Sequence, residues 1–530
     1  MTLSALPHVA IVHCHYESGG VTQVVQNHVA SLAHNGHSGI TLLSGPRCSA
    51  LTPATLTRAS HRTVELLEYD SMKCSSPSSN VQSEGNSLAG EIDAVLRKDG
   101  HSPENALVHW HNHSLGKVAA APASIVRLAD MGWRLLLQVH DFAEDQRPEN
   151  LAYLIGRYRS ADAAALDRWL YPQHHRIAYA TLTRGDASAL IEFGMDPARV
   201  SVVPNSVVLE GVAESRDAAM ARLHRCFGIP NSSRWVLYPV RGIRRKNVGE
   251  FLLLCQLMQA VNPIDDCPIV GGLTLRPDTP LERASYERWR SVAEQHVQNV
   301  VFDAAHHPEV SFRTNLSASE LVVSTSVAEG FGMAFLEPWL AHRRVVARDL
   351  PGVTADFVGQ GVRLDHLYCE VRIPGSKSWI DQAEAAWEDA YRESWSGIPE
   401  AFRPSGRARG ASVSAESIDF ARLLPTTQAD VIGRVDTDSG FRRDLIAANI
   451  ELLDWLVDAD DSQPETNASR IRDNYGSTQQ RQSLLAAYRT VITSPTASAS
   501  PSSPSERMVD CITKSHPFFP CRTETDLPAD

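Results

Sequence analysis

Two successive series of short, unbroken apolar runs, each run followed by helical spacing, constrain this chain more than any other feature. In the first series, residues 9–13 and 40–43 read as strands with a helix over 21–33 between them. Residues 64–67, 107–110 and 135–139 are further β-rich runs, the last two separated by helical spacing over 116–131. Strands that are apolar at consecutive positions are buried on both faces, as in a parallel sheet covered by helices on either side. The second series runs strand 235–240, helix 248–260, strand 268–270, helix 281–297, strand 300–302, helix 307–316, strand 320–324, then a helix starting near Met333. Two such series predict two doubly wound, Rossmann-like α/β domains facing each other.

A chain of 530 residues exceeds what one core organises and accommodates this arrangement. The pattern divides it into a first domain over 1–210, a polar connection over 211–233 and a second domain over 234–440. Helices follow over 441–492, and a Ser/Pro-rich tail over 493–530 is expected to be disordered, like the Ser-rich insertion at 71–90. The net charge of −12 argues against a general binder of nucleic acid or anionic membrane. No apolar run approaches the roughly 20 residues that span a bilayer. The first residues lack a basic segment ahead of their apolar ones, so a cytoplasmic protein is expected. Nine cysteines at 14, 48, 74, 226, 255, 267, 369, 511 and 521 form no Cys-x-x-Cys pair, which fits reduced thiols rather than disulfides or a cysteine zinc site.

Chemistry concentrates in the second domain. In Glu329-Gly-Phe-Gly-Met-Ala-Phe-Leu-Glu337, a strand ends, a glycine-flanked turn follows and a helix starts. Small residues admit a ligand close to the backbone, and a helix N-terminus presents unpaired N–H groups to phosphate. Carboxylates at both ends of such a turn can hold hydroxyls on either side of a diphosphate. Tyr238-Pro-Val-Arg-Gly-Ile-Arg-Arg-Lys-Asn247 leaves the domain's first strand, with Arg241 and Lys246 placed to grip phosphate oxygens and to stabilise a departing diphosphate. In the first domain, Ser18-Gly-Gly-Val21 opens the first helix, without a full Gly-x-Gly-x-x-Gly or Walker pattern.

In this order Gly19-Gly20-Val21, Val203-Pro-Asn-Ser-Val207, the Arg241/Lys246 pair and the Glu329/Glu337 pair resemble the family 4 glycosyltransferases, over about residues 8–350. The resemblance implies the GT-B fold, no cofactor or metal, and transfer of a hexose from a nucleoside-diphosphate sugar to a hydroxyl acceptor with retention. It implies that Glu329 binds donor-sugar hydroxyls and Glu337 the ribose. Backbone N–H groups of Gly332, Met333 and Ala334 face sugar and phosphate, Arg241 and Lys246 hold the diphosphate, and Gly19 and Gly20 approach the donor. His140, at the end of a late strand of the first domain, matches a family histidine that reaches the donor sugar. Asn112, His113 and Asp141 are candidates for the acceptor, with Glu144 and Asp145 crowding the same mouth. The family's Pro-Asn-Gly-Val has Ser206 in place of glycine here, a strained choice if the backbone there needs positive φ.

Two other readings compete. His109-Trp-His-Asn-His113, with His13 and His15, could hold metal in a hydrolase, with His109, His111 and His113 as ligands. A non-catalytic nucleotide-sugar-binding protein would use the same scaffold. Asp436-Thr-Asp438 and Asp458-Ala-Asp460 look like Asp-x-Asp metal motifs but read as solvated acids, far from the cluster. Base, sugar and acceptor identity stay open at this stage.

Overall fold

A computed structural model of the chain describes residues 7–33, 39–68, 80–209, 211, 213–262, 267–406, 414, 416–457, 464–493 and 506–524. The chain divides into two compact units. The first comprises Met1–Ser206, Trp395–Arg407 and Tyr475–His516; the second Val207–Ser394, Ala408–Asn474 and Pro517–Asp530.

The first unit is built on seven strands: β1 His8–Val12, β2 Ile40–Ser44, β3 Ser60–Thr63, β4 Ala106–His111, β5 Arg134–Val139, β6 Ile177–Thr181 and β7 Val200–Val202. They lie in the order 3-2-1-4-5-6-7, every pair parallel. All of β2, β4 and β6 is buried, as continuous apolar runs require of a sheet covered on both faces. The strand order reverses between β1 and β4, and such a switch point opens a crevice at the carboxyl ends of the two strands.

The second unit repeats the design with β8 Arg234–Arg241, β9 Ile269–Leu275, β10 Val300–Val301, β11 Leu321–Ser324, β12 Arg344–Arg348 and β13 Leu367–Tyr368, in the order 10-9-8-11-12-13. Its switch point lies between β8 and β11. A short antiparallel pair, Arg372–Pro374 with Ser417–Asp419, stands apart. The core joins Val236, Leu273, Val323 and Val346 of the strands to Phe251, Leu252 and Trp289 of the covering helices. The fold expected from the alternating runs, two Rossmann-like parallel-sheet domains, is the fold observed.

Several local expectations are corrected. The third strand is 60–63, and 64–67 instead passes into a 3₁₀ turn, Glu65–Leu67. Residues 71–79 of the Ser-rich insertion lie outside the described residues, but 80–90 is ordered. Asn80 caps helix Val81–Lys98, whose Val81, Gly85, Leu88, Ile92 and Leu96 form a buried stripe. Gly85 is required there, since a Cβ would come within 2.5 Å of that of Ala123. The polar connection contains helix Arg216–Phe227, capped by Ser215 and ended by left-handed Gly228. The terminal segment is also structured in part. Helix Met508–Ser515 buries Met508, Val509, Cys511 and Ile512, and Phe518, Phe519 and Cys521 are buried beyond it. Ser/Pro composition ends before this apolar group, which supplies enough burial to order it. Asp458 and Asp460 lie outside the described residues. Asp438 caps helix Ser439–Ala448 and pairs with Arg434, an exposed structural role.

Among the described residues, no helix is long and apolar enough to cross a membrane, and eight cysteines are free thiols.

Candidate functional site

At the switch point of the second sheet, β8 hands the chain to the loop Gly242–Asn247 and β11 to Thr325–Gly332. Asn247 adopts the left-handed conformation (φ 47°) that ends the Arg244–Lys246 turn and starts helix Val248–Val261. This reversal turns the Lys246 and Asn247 carbonyls toward β11. The Tyr238 hydroxyl donates to the Lys246 carbonyl at 2.7 Å and contacts Ser326 Oγ at 2.9 Å. Thr325 Oγ1 donates to both carbonyls at 3.0 and 3.1 Å. The loop is therefore fastened to the two strand ends that flank the switch point.

Lys246 Nζ donates to Glu329 Oε1, with the lysine side chain 10% and the glutamate 7% exposed. Burial alone would push the Glu329 carboxyl up, but the charges of Lys246 and Arg245 outweigh it and hold the group below its ordinary value. Burial lowers Lys246, with Glu329 opposing the shift. Arg241 is not brought to this pair: it forms an ion pair with exposed Asp278. Arg244 is likewise engaged, its Nε donating to Glu282 at 3.1 Å.

Past Glu329, Gly332 has φ +90°, and a Cβ would come within 2.9 Å of both Phe335 and Val353. Two independent constraints thus demand glycine at this position. The helix expected from Met333 is shorter than the sequence suggested: a 3₁₀ turn, Met333–Phe335, precedes the four-residue helix Glu337–Leu340. The chain must reverse at left-handed His342 and enter β12 at Arg344, which leaves no room for further turns. Met333 and Ala334 N–H open the 3₁₀ turn and so have no acceptor earlier in it. Glu337 follows. Burial pushes its carboxyl up to about 7.

A charged cluster missed by sequence reading supports this edge. Arg348, at the end of β12, donates to Glu250 Oε1 at 3.0 Å and to both Asp419 oxygens at 2.9 Å. The exposures are 2% for the arginine and zero for both acids. The Tyr368 hydroxyl donates to Glu250 Oε1 at 2.7 Å, and Asn247 Nδ2 donates to Glu250 Oε2 at 2.9 Å. Through Asn247 the cluster fixes the left-handed residue that ends the Lys246 loop.

The corresponding edge of the first unit is lined by histidines. His111, the last residue of β4, places Nδ1 2.8 Å from His140 Nε2 just past β5. Left-handed Asn112 accepts from His140 N–H at 2.8 Å and from Asp141 N–H at 3.2 Å, tying the two strand ends together. His13 Nδ1 lies 3.2 Å from the His111 carbonyl. Burial lowers all three histidines, His140 to about 4, so the rings are neutral near neutral pH. The charge of Lys117 contributes to lowering His13, His15 and His140, which places a cation among them that sequence reading did not single out. Ser18, Gly19 and Gly20 are exposed after β1, and a Cβ on either glycine would meet nothing within 4 Å.

Of the acceptor candidates, Asn112 and His113 are turned inward. His113 is 2% exposed and its Nε2 lies 2.8 Å from the Leu170 carbonyl. The grouping of His109, His111 and His113 is therefore corrected: His109 and His111, two apart, share a face of β4, and the third ring beside them is His28. Asp141 is partly exposed and pairs with Arg147 at 2.6 Å. Glu144 is buried against the Tyr171 hydroxyl, and Asp145 pairs with His516. Ser206 is not among the residues of positive φ, so serine costs nothing in that turn.

No family model matches the chain. A curated relative, the mannosylglucosyl-3-phosphoglycerate synthase of Petrotoga mobilis, is 27% identical over 354 residues, 66% of this chain and 66% of the relative. The match thus spans a little under two thirds of that relative's length. Sucrose-phosphate synthase from Thermosynechococcus elongatus superposes with a TM-score of 0.53 at 14% identity, over 92% of this chain and all of that one. A glycosyltransferase from Rickettsia africae gives 0.51 at 12% identity, over 93% and 100%. The catalytic domain of starch synthase IV from Arabidopsis thaliana, bound to ADP and acarbose, gives 0.51 at 10%, over 92% and 100%. At such identities the likeness of structures establishes the fold, which is GT-B. The resemblance to family 4 glycosyltransferases drawn from the motifs agrees with both the sequence relative and the fold neighbours.

Proposed function

We propose that this chain is a retaining glycosyltransferase that moves a hexose from a nucleoside-diphosphate sugar to a hydroxyl of an anionic acceptor, with no metal at the diphosphate. The observation that carries the reading is the buried Lys246–Glu329 pair at the switch point of the second sheet, beside the Gly332 turn and Glu337, whose carboxyl burial raises. Lys246 and the N–H groups of Gly332, Met333 and Ala334 take the charge that accumulates on the departing diphosphate, and Arg241 joins them on leaving its ion pair with exposed Asp278. Lys246 is preorganised by the Tyr238 and Thr325 hydroxyls on its own carbonyl, so little reorganisation accompanies the reaction. Glu329, kept ionised by Lys246, accepts from donor-sugar hydroxyls. Ribose hydroxyls donating to Glu337 relieve the desolvation of that carboxyl. The reacting carbon acquires oxocarbenium character, and the acceptor oxygen enters on the face the phosphate leaves. No side chain serves as nucleophile. Neutral His140, held by His111 and Asn112, is assigned to the donor sugar.

The anionic acceptor is supported by Lys117, which takes part in no ion pair among the described residues and acts electrostatically on His13, His15 and His140. Helix Gly20–Ala33, opening at the end of β1, adds the positive end of its dipole. The name of the curated relative supports a phosphoglycerate group as the anion.

The test incubates the full chain with UDP-, GDP- and ADP-hexoses and with phosphoglycerate-bearing or neutral acceptors, reading product configuration by NMR. Transfer with retention, preferring the phosphorylated acceptor and weakened by Lys117→Ala, is expected. An inverted product, or neither transfer nor donor binding with any nucleotide, would sink the reading.

A further inference from the structure

We infer that the first unit holds a buried zinc-class divalent-cation site formed by His28, His109 and His111, one layer beneath the strand end that carries His140. Ring nitrogens of the three residues lie within 4.8 Å of one another. The centroids are 4.4 Å apart for His109 and His111, 5.4 Å for His28 and His111, and 5.6 Å for His28 and His109. The fold makes this juxtaposition: His109 and His111 project from one face of β4, and His28 comes from the buried side of helix Gly20–Ala33.

The rings are 0%, 0% and 1% exposed. Among the described residues, neither nitrogen of His28 has a hydrogen-bond partner, and neither does His111 Nε2. A buried polar atom left unpaired is costly, and unpaired nitrogens on two neighbouring rings point to a shared ligand that takes one from each. Each imidazole offers one nitrogen lone pair, and a cation is a ligand that three such rings can share.

The surroundings have the form of a metal site. His109 Nε2 lies 2.9 Å from Gln138 Oε1, and His111 Nδ1 lies 2.8 Å from His140 Nε2. Metal-bound histidines use such outer partners to fix tautomer and ring orientation. With these bonds kept, His109 presents Nδ1 and His111 presents Nε2. His109 Nδ1 now sits 3.0 Å from the Tyr488 hydroxyl. The cation takes the place of that hydroxyl at the nitrogen. Zn–N bonds of about 2.0–2.1 Å set tetrahedral nitrogens about 3.4 Å apart, so small rotations of the rings draw the set together. Hard cations prefer oxygen, which leaves zinc and its borderline neighbours as the class that fits.

The test loads the full chain with zinc chloride, by incubation or by refolding in its presence, then desalts it and measures bound metal. About one zinc per chain is expected, with a raised Tm and, for cobalt(II), the visible bands of a tetrahedral site. His28→Phe, which keeps ring volume, and His111→Leu should lose the metal and the Tm rise, while His15→Ala in the nearby His13-Cys14-His15 group should keep both. If either variant fails to fold, the cobalt spectrum of the unaltered chain and its loss on adding zinc decide. Failure of the unaltered chain to retain zinc or cobalt, or unchanged retention in folded His28→Phe, would overturn the site. The readout is metal content, so it is independent of whether sugar transfer is observed.

Discussion

The two parallel sheets end in edges of opposite chemistry. In the second unit, Lys246, Glu329, Glu250, Arg348 and Asp419 are nearly or completely buried, and each faces a group of opposite charge. In the first, His13, His111 and His140 are as deeply buried and face one another, a tyrosine, an amide or backbone, and desolvation holds them neutral. Acids follow the same rule. Glu329, beside Lys246, falls below its ordinary value, whereas Glu144, Asp167 and Glu337, for which burial is the leading cause, rise to about 7, about 8 and about 7. Burial pushes each carboxyl up, and at Glu329 the neighbouring cations reverse the shift. One edge gathers paired charges, the other neutral rings on which Lys117 acts electrostatically.

The largest effect should come from Arg348→Leu, which strands two carboxylates in the second unit's core. Losing one partner of a buried charge cluster costs about 3–5 kcal/mol, measurable by denaturant unfolding. A loss under about 1 kcal/mol, the worth of a surface pair, would break the comparison. Next, Lys246→Ala should lower kcat by about 10²–10³, as removal of a preorganised donor does; equal kinetic effects from Lys246→Ala and exposed Arg276→Ala would remove the site from this edge. Smaller is Glu337→Gln, expected to raise the donor KM by roughly tenfold, the scale of a hydrogen bond to a charged group, with little change in kcat.

The smallest is a pH effect that sharpens the contrast. Below 6.5 the unfolded chain takes up protons at His13, His28, His109, His111, His113 and His140 that the folded chain refuses, so stability falls with pH. Glu144, Asp167, Asp186 and Glu337 act oppositely: folded, they keep protons up to about 7, about 8, about 6 and about 7, so their contribution is lost as pH rises toward those values. The histidines outnumber the acids, so Tm should peak near 6.5 and decline gently to about 8. Asp167→Asn should flatten that decline, and a Tm still climbing between pH 7 and 8 would contradict the assignment.

Both sheets and the candidate donor edge were legible because their signals are local. Lys246 lies on the loop leaving the second unit's first strand, and the Glu329 turn is one contiguous motif; Arg241, from the same stretch, pairs instead with Asp278. The Glu250–Arg348–Asp419 cluster was not legible, since its partners are 98 and 71 residues apart and each alone is an ordinary charge. His28 sits within a helical stripe and carries no sign of its own that β4 will bring His109 and His111 to it. The helix expected from Met333 starts only at Glu337 and is short, because a helical pattern does not report how soon the next strand must begin. In 506–524 and 80–90, Ser- and Pro-rich neighbours masked short apolar stripes.

Helix Ser477–Thr493 has a consequence of a different kind. Its Leu484, Tyr488 and Val491 complete the first unit's core with Val9, Leu107 and Leu136, which precede them by several hundred residues. During synthesis, the first sheet emerges and waits for its cover while everything from 207 to 476 is made. At roughly 5–20 residues per second, covering the span from 206 to 493 takes about 15 to 60 s. A nascent chain exposing one face of an apolar sheet for that long is a natural client for ribosome-associated chaperones, and slow codons downstream of 206 would lengthen its exposure rather than give it time to fold.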